Sequence, residues 1–206
     1  MNITKWDTFF NEKIKQIFES KKNIIDIGGG LRISKQKGNR FDTKREWIIK
    51  YLDEVDYKVL DPVPDYNPDI IGDIHNLPLE NESVDAIICI AVLEHIENPF
   101  QAFDEMFRVL KKDGYCFIYV PFIYYYHAQP GYYGDFWRYT EDGVRHLSRN
   151  FTSIEIQSVR WPLETWVFLS PFGRIKFLNT LARKIDVLLK KQNSKQTSGY
   201  NIFLTK

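Results

Sequence analysis

The chain has 206 residues, 44% of them hydrophobic and 27% charged, which fits one globular α/β domain over residues 1–206. Its 28 Lys and Arg residues nearly balance 27 Asp and Glu residues, so the formal net charge of +1 gives no overall attraction to nucleic acid. Cys89 and Cys116 lie in apolar runs, as buried thiols in a reducing compartment do. With no signal-peptide pattern and no run of ~18 apolar residues, the sequence predicts a cytoplasmic protein, at most peripheral to a membrane.

Hydrophobic periodicity divides the chain into alternating strands and helices. Apolar residues at helical spacing predict a helix over residues 4–20, within an N-terminal segment of residues 1–22. Thr43 with Glu46 forms a capping-box pattern that predicts a second helix start, and Asn98 before Pro99 predicts a third. A further short helix is predicted to start at Thr140. Short apolar runs predict seven strands, at residues 23–27, 57–60, 69–71, 84–90, 115–120, 151–157 and 200–205.

This alternation predicts a mostly parallel sheet with helices on both faces. Sheets of this kind bind ligands at the carboxyl ends of their strands. At those ends the sequence places the turn Gly28-Gly29-Gly30 and, further along the chain, Asp61, Asp73 and Ala91. We therefore expect one ligand site at this edge.

The glycine turn favours a nucleotide-like cofactor without specifying which one. A dinucleotide fingerprint requires a further glycine three residues after Gly30, and Ile33 stands there instead. The next predicted helix begins only near Asp42, after a polar loop that ends at Phe41, so no helix N-terminus follows the turn directly. Both features disfavour a dinucleotide, although an NAD(P)-dependent oxidoreductase stays an alternative.

Five motifs follow one another in order between residues 23 and 121. They are Ile25-Asp26-Ile27-Gly28-Gly29-Gly30, Asp61 after the second strand, Gly72-Asp73-Ile74-His75-Asn76-Leu77-Pro78, Ser83-Val84-Asp85 leading to Val92-Leu93-Glu94-His95-Ile96, and Arg108-Val109-Leu110-Lys111-Lys112-Asp113-Gly114. Together they resemble the motifs of class I S-adenosylmethionine-dependent methyltransferases of the small-molecule type. The resemblance implies a Rossmann-like class I methyltransferase fold, in which a seven-stranded, mostly parallel sheet has an antiparallel last strand, and S-adenosylmethionine as the cofactor.

The resemblance also implies which residues bind the methionine end of the cofactor. Asp26 would orient the glycine turn and the amino-acid group, and Gly28, Gly29 and Gly30 would let backbone lie against it. Ala91 would lie under the methionine portion. The loop from Leu31 to Phe41 is longer than the family pattern.

The ribose and adenine are assigned in the same way. Asp61 would accept hydrogen bonds from the two ribose hydroxyls, and Asp73 would accept one from the exocyclic amine of adenine, with Ile74 packed on the ring. An Asp that follows a strand is otherwise a turn or a helix cap, which stays the alternative for Asp61.

Aromatic residues crowd the segment 122–140, which follows the fifth strand where this fold places its substrate. Its pattern, His127 and then Asp135-Phe136-Trp137-Arg138-Tyr139-Thr140, resembles methyltransferases associated with bacterial glycan and cell-envelope genes. His127 is the predicted general base, because imidazole titrates near neutral pH, and Asp135 would orient it or bind a substrate hydroxyl. The predicted acceptor contacts are Tyr132, Tyr133, Trp137 and Arg138. Alternatively, Asp135 pairs with Arg138, Trp137 fills the core and the tyrosines close a lid.

Neither a metal nor a nucleic acid is predicted. The four histidines are widely spaced and no Cys or carboxylate grouping accompanies them. Ile90-Ala91-Val92-Leu93 stands where many nucleic-acid amino-methyltransferases carry paired prolines, and Cys89 follows Ile88 where a cytosine C5 methyltransferase carries Pro-Cys. We therefore expect methyl transfer to oxygen or nitrogen of a small molecule or glycan, with a catalytically silent binding protein as the alternative.

Residues 160–198 form a predicted helical insertion before the last strand. Between residues 161 and 191 apolar residues alternate with Lys and Arg, as in a basic amphipathic segment that lies in a membrane interface. Alternatively, the apolar face packs on the protein's own sheet or on a second subunit in a homodimer.

Overall fold

Seven strands form one sheet in this computed structural model, which describes residues 4–33 and 41–206. The strand order is β3-β2-β1-β4-β5-β7-β6, with β1 to β5 parallel to one another and β7 antiparallel to both β5 and β6. This confirms the predicted sheet with its antiparallel last strand. The strands are β1 (Asn23–Ile27), β2 (Asp56–Asp61), β3 (Ile70–Ile71), β4 (Val84–Ile90), β5 (Leu110–Pro121), β6 (Ser153–Val159) and β7 (Gly199–Thr205). Most of the polar loop predicted before Phe41 lies at residues 34–40, outside the described residues.

The first three α-helices begin after residues whose side chains cap them. The helix α1 (Lys5–Ser20) follows Thr4, whose hydroxyl accepts a hydrogen bond from the Asp7 backbone N–H at 3.1 Å. The predicted caps of α2 (Pro99–Val109) and α3 (Glu141–Leu147) are also present, at Asn98 and Thr140.

One predicted cap is wrong. The element at Thr43–Glu54 is a 3-10 helix, and its cap is Asp42, whose carboxylate accepts from the Lys44 N–H at 3.0 Å. An Asp one residue before the predicted Thr binds a free N–H group of the first turn, so the cap lies one position earlier than predicted.

Both faces of the sheet are buried, which explains why its central strands are almost entirely apolar. Ala86 and Ile88 of β4 pack on the face covered by α1 and the 3-10 helix. Ile87 and Cys89 pack on the opposite face, together with residues of α2 and α3. The thiols of Cys89 and Cys116 are both buried and unpaired, as the sequence predicts.

The helical insertion forms two packed helices, α4 (Pro162–Leu169) and α5 (Lys176–Leu188). Arg183 of α5 donates to the buried Glu164 of α4 at 2.6 Å, and Asp186 accepts from the backbone N–H groups of Leu163 and Glu164 at 3.1 and 3.0 Å. Packing on the protein's own fold accounts for Trp161, which is buried edge-on against Trp6.

Other apolar side chains of the insertion are exposed, and packing on the sheet does not account for them. They are Trp166, Phe172, Ile175, Phe177, Leu181, Val187, Leu188 and Leu189. A search of the helices within residues 4–33 and 41–206 finds none with the length and apolar character needed to cross a bilayer.

Candidate active site

The buried carboxylate of Asp26, near the end of β1, stabilises the glycine turn through hydrogen bonds. Its two carboxylate oxygens accept hydrogen bonds from the backbone N–H groups of Gly30 at 3.1 Å and Leu31 at 3.0 Å. The hydroxyl of Tyr57 on β2 donates to the same carboxylate at 2.6 Å. Burial raises the pKa of Asp26 to about 6, although these hydrogen bonds and the nearby Arg45 oppose the shift.

Glycine is required at two positions of the turn for different reasons. Gly28 has a φ of +76°, in the left-handed region, and a Cβ there would lie 2.5 Å from Cγ2 of Val92. At Gly30, a Cβ would lie 2.6 Å from Cβ of Ile90 and 2.7 Å from its carbonyl oxygen. The turn and the end of β4 therefore approach each other as closely as backbone allows.

Asp61 and Asp73 follow β2 and β3 and differ in exposure. Asp61 is buried, accepts from the Val63 N–H at 2.8 Å, and has its pKa raised by burial. Asp73 has an exposed side chain, and its Oδ1 lies 2.7 Å from Nδ1 of His75. Because Nε2 of His75 accepts from the Asn98 N–H at 3.2 Å, Nδ1 carries the proton and donates it to Asp73. Ile74, next to Asp73, is buried in the core.

Ala91 ends β4 with a φ of +55°, which is uncommon for a residue with a side chain. Its N–H donates to the Tyr119 carbonyl of β5 at 3.1 Å, which holds the strained turn in place. Residues in such conformations concentrate at functional sites.

A cavity of about 580 Å³ opens beside this edge, with Gly30 and Ala91 in its wall. Its described wall carries more cations than carboxylates. The cations are Arg32, Lys44, Arg45 and Arg160, and the carboxylates are Asp7 and Asp42. The aromatic side chains of Tyr119, Tyr124 and Phe168 form much of the remaining surface.

The segment 122–140 is anchored on the turn after β4, a 3-10 helix at Leu93–His95. The Phe136 N–H donates to the Glu94 carbonyl at 2.7 Å, and the Tyr139 hydroxyl donates to the Leu93 carbonyl at 2.6 Å. Nδ1 of His95 lies 2.7 Å from the Gly134 carbonyl. Two sequence motifs about 40 residues apart are therefore bound to each other.

Trp137 is part of the same anchor. Its indole N–H donates to the Ile96 carbonyl at 2.9 Å, while its ring is partly exposed at the surface. It therefore does not fill the core, which was one alternative.

Within this segment, Asp135 organises both His127 and Arg138. Its buried carboxylate pairs bidentately with Arg138, at 2.5 and 2.8 Å, and accepts from the His127 backbone N–H at 2.7 Å. Arg138 lowers the pKa of Asp135 to about 2. Arg138 also donates to the Tyr125 carbonyl, so its guanidinium is engaged within the protein and the alternative pairing is present.

The imidazole of His127 faces a carboxylate that the sequence analysis did not assign to the site. Nε2 of His127 lies 3.6 Å from Oε1 of the buried Glu94, and Nε2 of His95 lies 4.0 Å from the same oxygen. The Glu94 carboxylate raises the pKa of His127 above its ordinary value. His127, His95 and Glu94 thus form one cluster beside Ala91.

Tyr132 reaches away from this cluster, whereas Tyr133 lies against it. The ring of Tyr132 stacks on Tyr66, which follows β2, with 5.6 Å between centroids, and its hydroxyl donates to Asp65 at 3.2 Å. The ring of Tyr133 lies against His95. The segment therefore spans the carboxyl edge from β5 to the end of β2, where Asp61 lies.

Known proteins show the same architecture. The methyltransferase domain family matches residues 53–118. An uncharacterized 37.1 kDa protein in transposon TN4556 of Streptomyces fradiae is 48% identical over 44 residues, which are 21% of this chain and only 13% of that protein.

Two solved structures share the fold over nearly all of the chain. A SAM-dependent methyltransferase from Archaeoglobus fulgidus is 12% identical with a TM-score of 0.60, over 98% of this chain and 100% of that one. Phosphoethanolamine N-methyltransferase 2 of Haemonchus contortus, in complex with phosphomonomethylethanolamine and S-adenosylhomocysteine, is 14% identical with a TM-score of 0.51, over 96% of this chain and 52% of that one. The chain therefore shares the fold of SAM-dependent methyltransferases, and residues 53–118 match the methyltransferase domain family.

The structure places the predicted cofactor residues along one edge of the sheet, at the ends of β1, β2, β3 and β4. It adds three residues that sequence reasoning missed. Tyr57 donates to Asp26, Arg45 donates to the Gly30 carbonyl, and Glu94 lies behind His127. Only Glu94 had a visible signal, a charged residue between the apolar Leu93 and Ile96 directly after a core strand.

Proposed function

We propose that this protein is an S-adenosylmethionine-dependent methyltransferase that acts on an oxygen or nitrogen atom of a small molecule or glycan that carries a negative charge. The observation that supports this most is the cluster of Glu94, His95 and His127 beside Ala91, together with a cavity whose described wall is rich in cations. Its volume of about 580 Å³ suits a small acceptor or a sugar. A cationic wall favours an acceptor with a carboxylate or phosphate.

The cofactor would lie along the carboxyl edge of the sheet. Gly28 to Gly30 and Ala91 would contact its methionine portion, because side chains are excluded or strained there. Asp61 would accept from the ribose, and Asp73 from the adenine amine. Asp26 would act through the turn, since its oxygens already bind the Gly30 and Leu31 N–H groups.

The acceptor would lie between the cofactor's methyl group and the cluster. An electron pair of the acceptor atom forms the bond to the methyl carbon, the S–C bond breaks, and its electron pair returns to sulfur. The acceptor's proton has to leave as the bond forms, and the cluster is the group of proton acceptors placed to assist. His127 is its most exposed member and Asp135 fixes its backbone, which favours His127 as the residue that meets the acceptor.

Two measurements test the proposal. Calorimetry should show binding of S-adenosylhomocysteine and none of NADH, and the reverse result would instead support the oxidoreductase. A screen for S-adenosylhomocysteine release should then use acceptors in matched pairs, with and without a phosphate or carboxylate. Preference for the neutral member of each pair would contradict an anionic acceptor.

A variant series tests the role of His127. His127→Ala should retain affinity for S-adenosylhomocysteine and lose turnover by about 10²–10⁴-fold. Tyr126→Ala is the matched control, because Tyr126 is exposed in the same segment and should be replaceable without effect. Normal turnover of His127→Ala on the identified acceptor would remove His127 from the mechanism, and activity absent from all acceptors would favour a binding protein.

A further inference from the structure

Three side chains that can act as metal ligands lie close together in this protein. One potential ligand atom from each of Glu94, His95 and His127 lies within 4.8 Å of the other two. The second oxygen of Glu94, Oε2, is buried and has no hydrogen-bond partner within residues 4–33 and 41–206. A buried carboxylate of this kind is costly unless a cation or a donor meets it.

The spacing of these atoms does not fit direct hydrogen bonds. Nitrogen and oxygen atoms joined by a charge-assisted hydrogen bond lie about 2.7–2.9 Å apart. The two Nε2 to Oε1 distances in the cluster are 3.6 Å for His127 and 4.0 Å for His95. Two ligands of one tetrahedral ion with bonds of ~2.0–2.1 Å lie ~3.4 Å apart. Each distance between two ligand atoms of the cluster would therefore have to shorten by less than about 1.5 Å for the three residues to bind one ion.

Hydrogen bonds on the far side of each ring aim both histidines at Glu94. Nδ1 of His95 lies 2.7 Å from the Gly134 carbonyl, and Nδ1 of His127 lies 3.0 Å from the Tyr125 carbonyl and 3.3 Å from Oδ2 of Asp135. All three partners only accept hydrogen bonds, so each Nδ1 carries a proton, and in the neutral ring each Nε2 keeps a lone pair that can bind a metal. Metal-ligating histidines typically donate their other N–H to a carbonyl or carboxylate in this way.

The cluster is closed on one side and open on the other. The exposed fraction of the side chain rises from 1% for Glu94 through 11% for His95 to 33% for His127. Three protein ligands with one accessible position are the arrangement found in catalytic zinc sites, including those with two histidines and a glutamate.

We propose that Glu94, His95 and His127 bind one divalent transition-metal ion, and that Zn²⁺ fits this ligand set. The sequence predicts no metal, because its four histidines are widely spaced with no Cys or carboxylate grouping, and this proposal departs from that prediction. The anchoring of segment 122–140 on the Leu93–His95 turn is what brings His127 to the other two.

The open position would take an oxygen of the acceptor, and this part rests on the proposed function. A hydroxyl bound to the ion loses its proton to water more readily than a free hydroxyl. The resulting oxygen anion then forms the bond to the methyl carbon as the S–C electron pair returns to sulfur. The inference therefore narrows the acceptor to a hydroxyl compound, and in this arrangement His127 is a ligand.

The test measures metal binding on protein without a polyhistidine tag. After treatment with EDTA and its removal, Zn²⁺ should bind with a stoichiometry of one and raise the midpoint of thermal unfolding. Glu94→Gln and His95→Ala should each weaken Zn²⁺ binding by at least about 10–100-fold, as the loss even of supporting groups does in zinc sites. His146→Ala is the matched control, because His146 is exposed on α3 and should not affect binding.

Calorimetry with S-adenosylhomocysteine separates this inference from the proposed function. If S-adenosylhomocysteine binds and Zn²⁺ does not, or if Zn²⁺ binds equally well to Glu94→Gln, the metal site is wrong and the methyltransferase function stands. If Zn²⁺ binds as expected and S-adenosylhomocysteine does not, the proposed function fails and the metal site stands. Acceptance of an amine but no hydroxyl compound by the zinc-loaded enzyme would overturn the acceptor part.

Discussion

The hydroxyl of Tyr57 on β2 donates a 2.6 Å hydrogen bond to the carboxylate of Asp26 on β1, directly beneath the glycine turn. Both groups are held out of water, and burial raises the pKa of Asp26 to about 6 and that of Tyr57 well above its ordinary value. Arg45 lies close enough to lower the pKa of Asp26, and the N–H groups of Gly30 and Leu31 also favour its ionised form. The glycine turn therefore rests on a carboxylate that titrates in a measurable range.

We expect Asp26 to make the free energy of unfolding depend on pH. Because its folded-state pKa is about 6 against an ordinary value of 3.8, its contribution is fully present below about pH 4 and is lost as the pH rises through 6. The loss amounts to roughly 3 kcal/mol at neutral pH. Urea unfolding of wild type and Asp26→Asn at pH 4.5 and 7 should show wild type losing stability relative to the variant as the pH rises.

Tyr57→Phe extends this prediction. Removing a donor that favours the ionised carboxylate should raise the pKa of Asp26 further, so that the loss of stability becomes larger and extends to higher pH. Parallel stability profiles for wild type, Asp26→Asn and Tyr57→Phe between pH 4 and 7 would contradict the assignment.

The two acidic residues assigned to the cofactor should each contribute to its affinity. Asp61→Ala and Asp73→Ala should weaken binding of S-adenosylhomocysteine by about 1–3 kcal/mol, the cost of leaving the cofactor's donors without acceptors. Calorimetry measures this directly, with Asp53→Ala as the control because Asp53 is exposed at the end of the 3-10 helix. Unchanged affinity in both Asp61→Ala and Asp73→Ala would show that Asp61 does not bind the ribose and that Asp73 does not bind the adenine.

Substitutions at two glycines can distinguish the effect of a steric clash from the effect of backbone strain. Gly28 and Gly131 have similar φ values, +76° and +84°, but a Cβ at Gly28 would lie 2.5 Å from Val92 while one at Gly131 would meet nothing within 4 Å. Both Gly→Ala changes cost about 1–2 kcal/mol for the left-handed conformation. Gly28→Ala should lower the free energy of unfolding further and reduce cofactor affinity, as measured by urea unfolding and calorimetry. Equal effects of the two substitutions would show that close packing of the turn is not required.

The sequence predicts the sheet well because each signal is local. The bounds of β4, Val84–Ile90, follow from an apolar run that both buried faces require, and the antiparallel last strand follows from the family resemblance. The cap of the 3-10 helix is predicted at Thr43 but lies at Asp42. Both side chains offer a suitable oxygen, and only the backbone conformation determines which of them is the cap.

The acceptor side of the site is less predictable because it depends on contacts between distant segments. His127 and Asp135 are recognisable by residue type and pattern, whereas Glu94 gains its place only when Phe136 and Tyr139 bind the Leu93–His95 turn. The spacing of residues along the chain does not predict this contact. The contact between Tyr57 and Asp26, which lie 31 residues apart, is not predictable for the same reason.

The exposed face of α5 is rich in apolar side chains. Phe177, Leu181 and Leu188 recur at helical spacing on the side opposite the buried Ala182 and Asp186, and Phe177 and Leu188 are 72% and 80% exposed. Trp166 of α4 is 69% exposed. Exposed Lys and Arg residues are close to these side chains along the chain, at Arg174, Lys176, Lys184, Lys190 and Lys191. Apolar anchors ringed by cations match the surface of an anionic membrane.

We expect the protein to co-sediment with vesicles that contain anionic phospholipid at low salt, and to be released as salt is raised, because salt screens the basic residues. Phe177→Ser with Leu188→Ser should abolish binding without loss of stability, since both side chains are exposed. Ile71→Ser is the matched control, because Ile71 is an exposed apolar residue on β3, far along the sheet from the insertion. Wild type that stays in the supernatant would contradict the membrane contact. If that protein also elutes as a dimer, and Phe177→Ser with Leu188→Ser as a monomer, the face covers a second subunit.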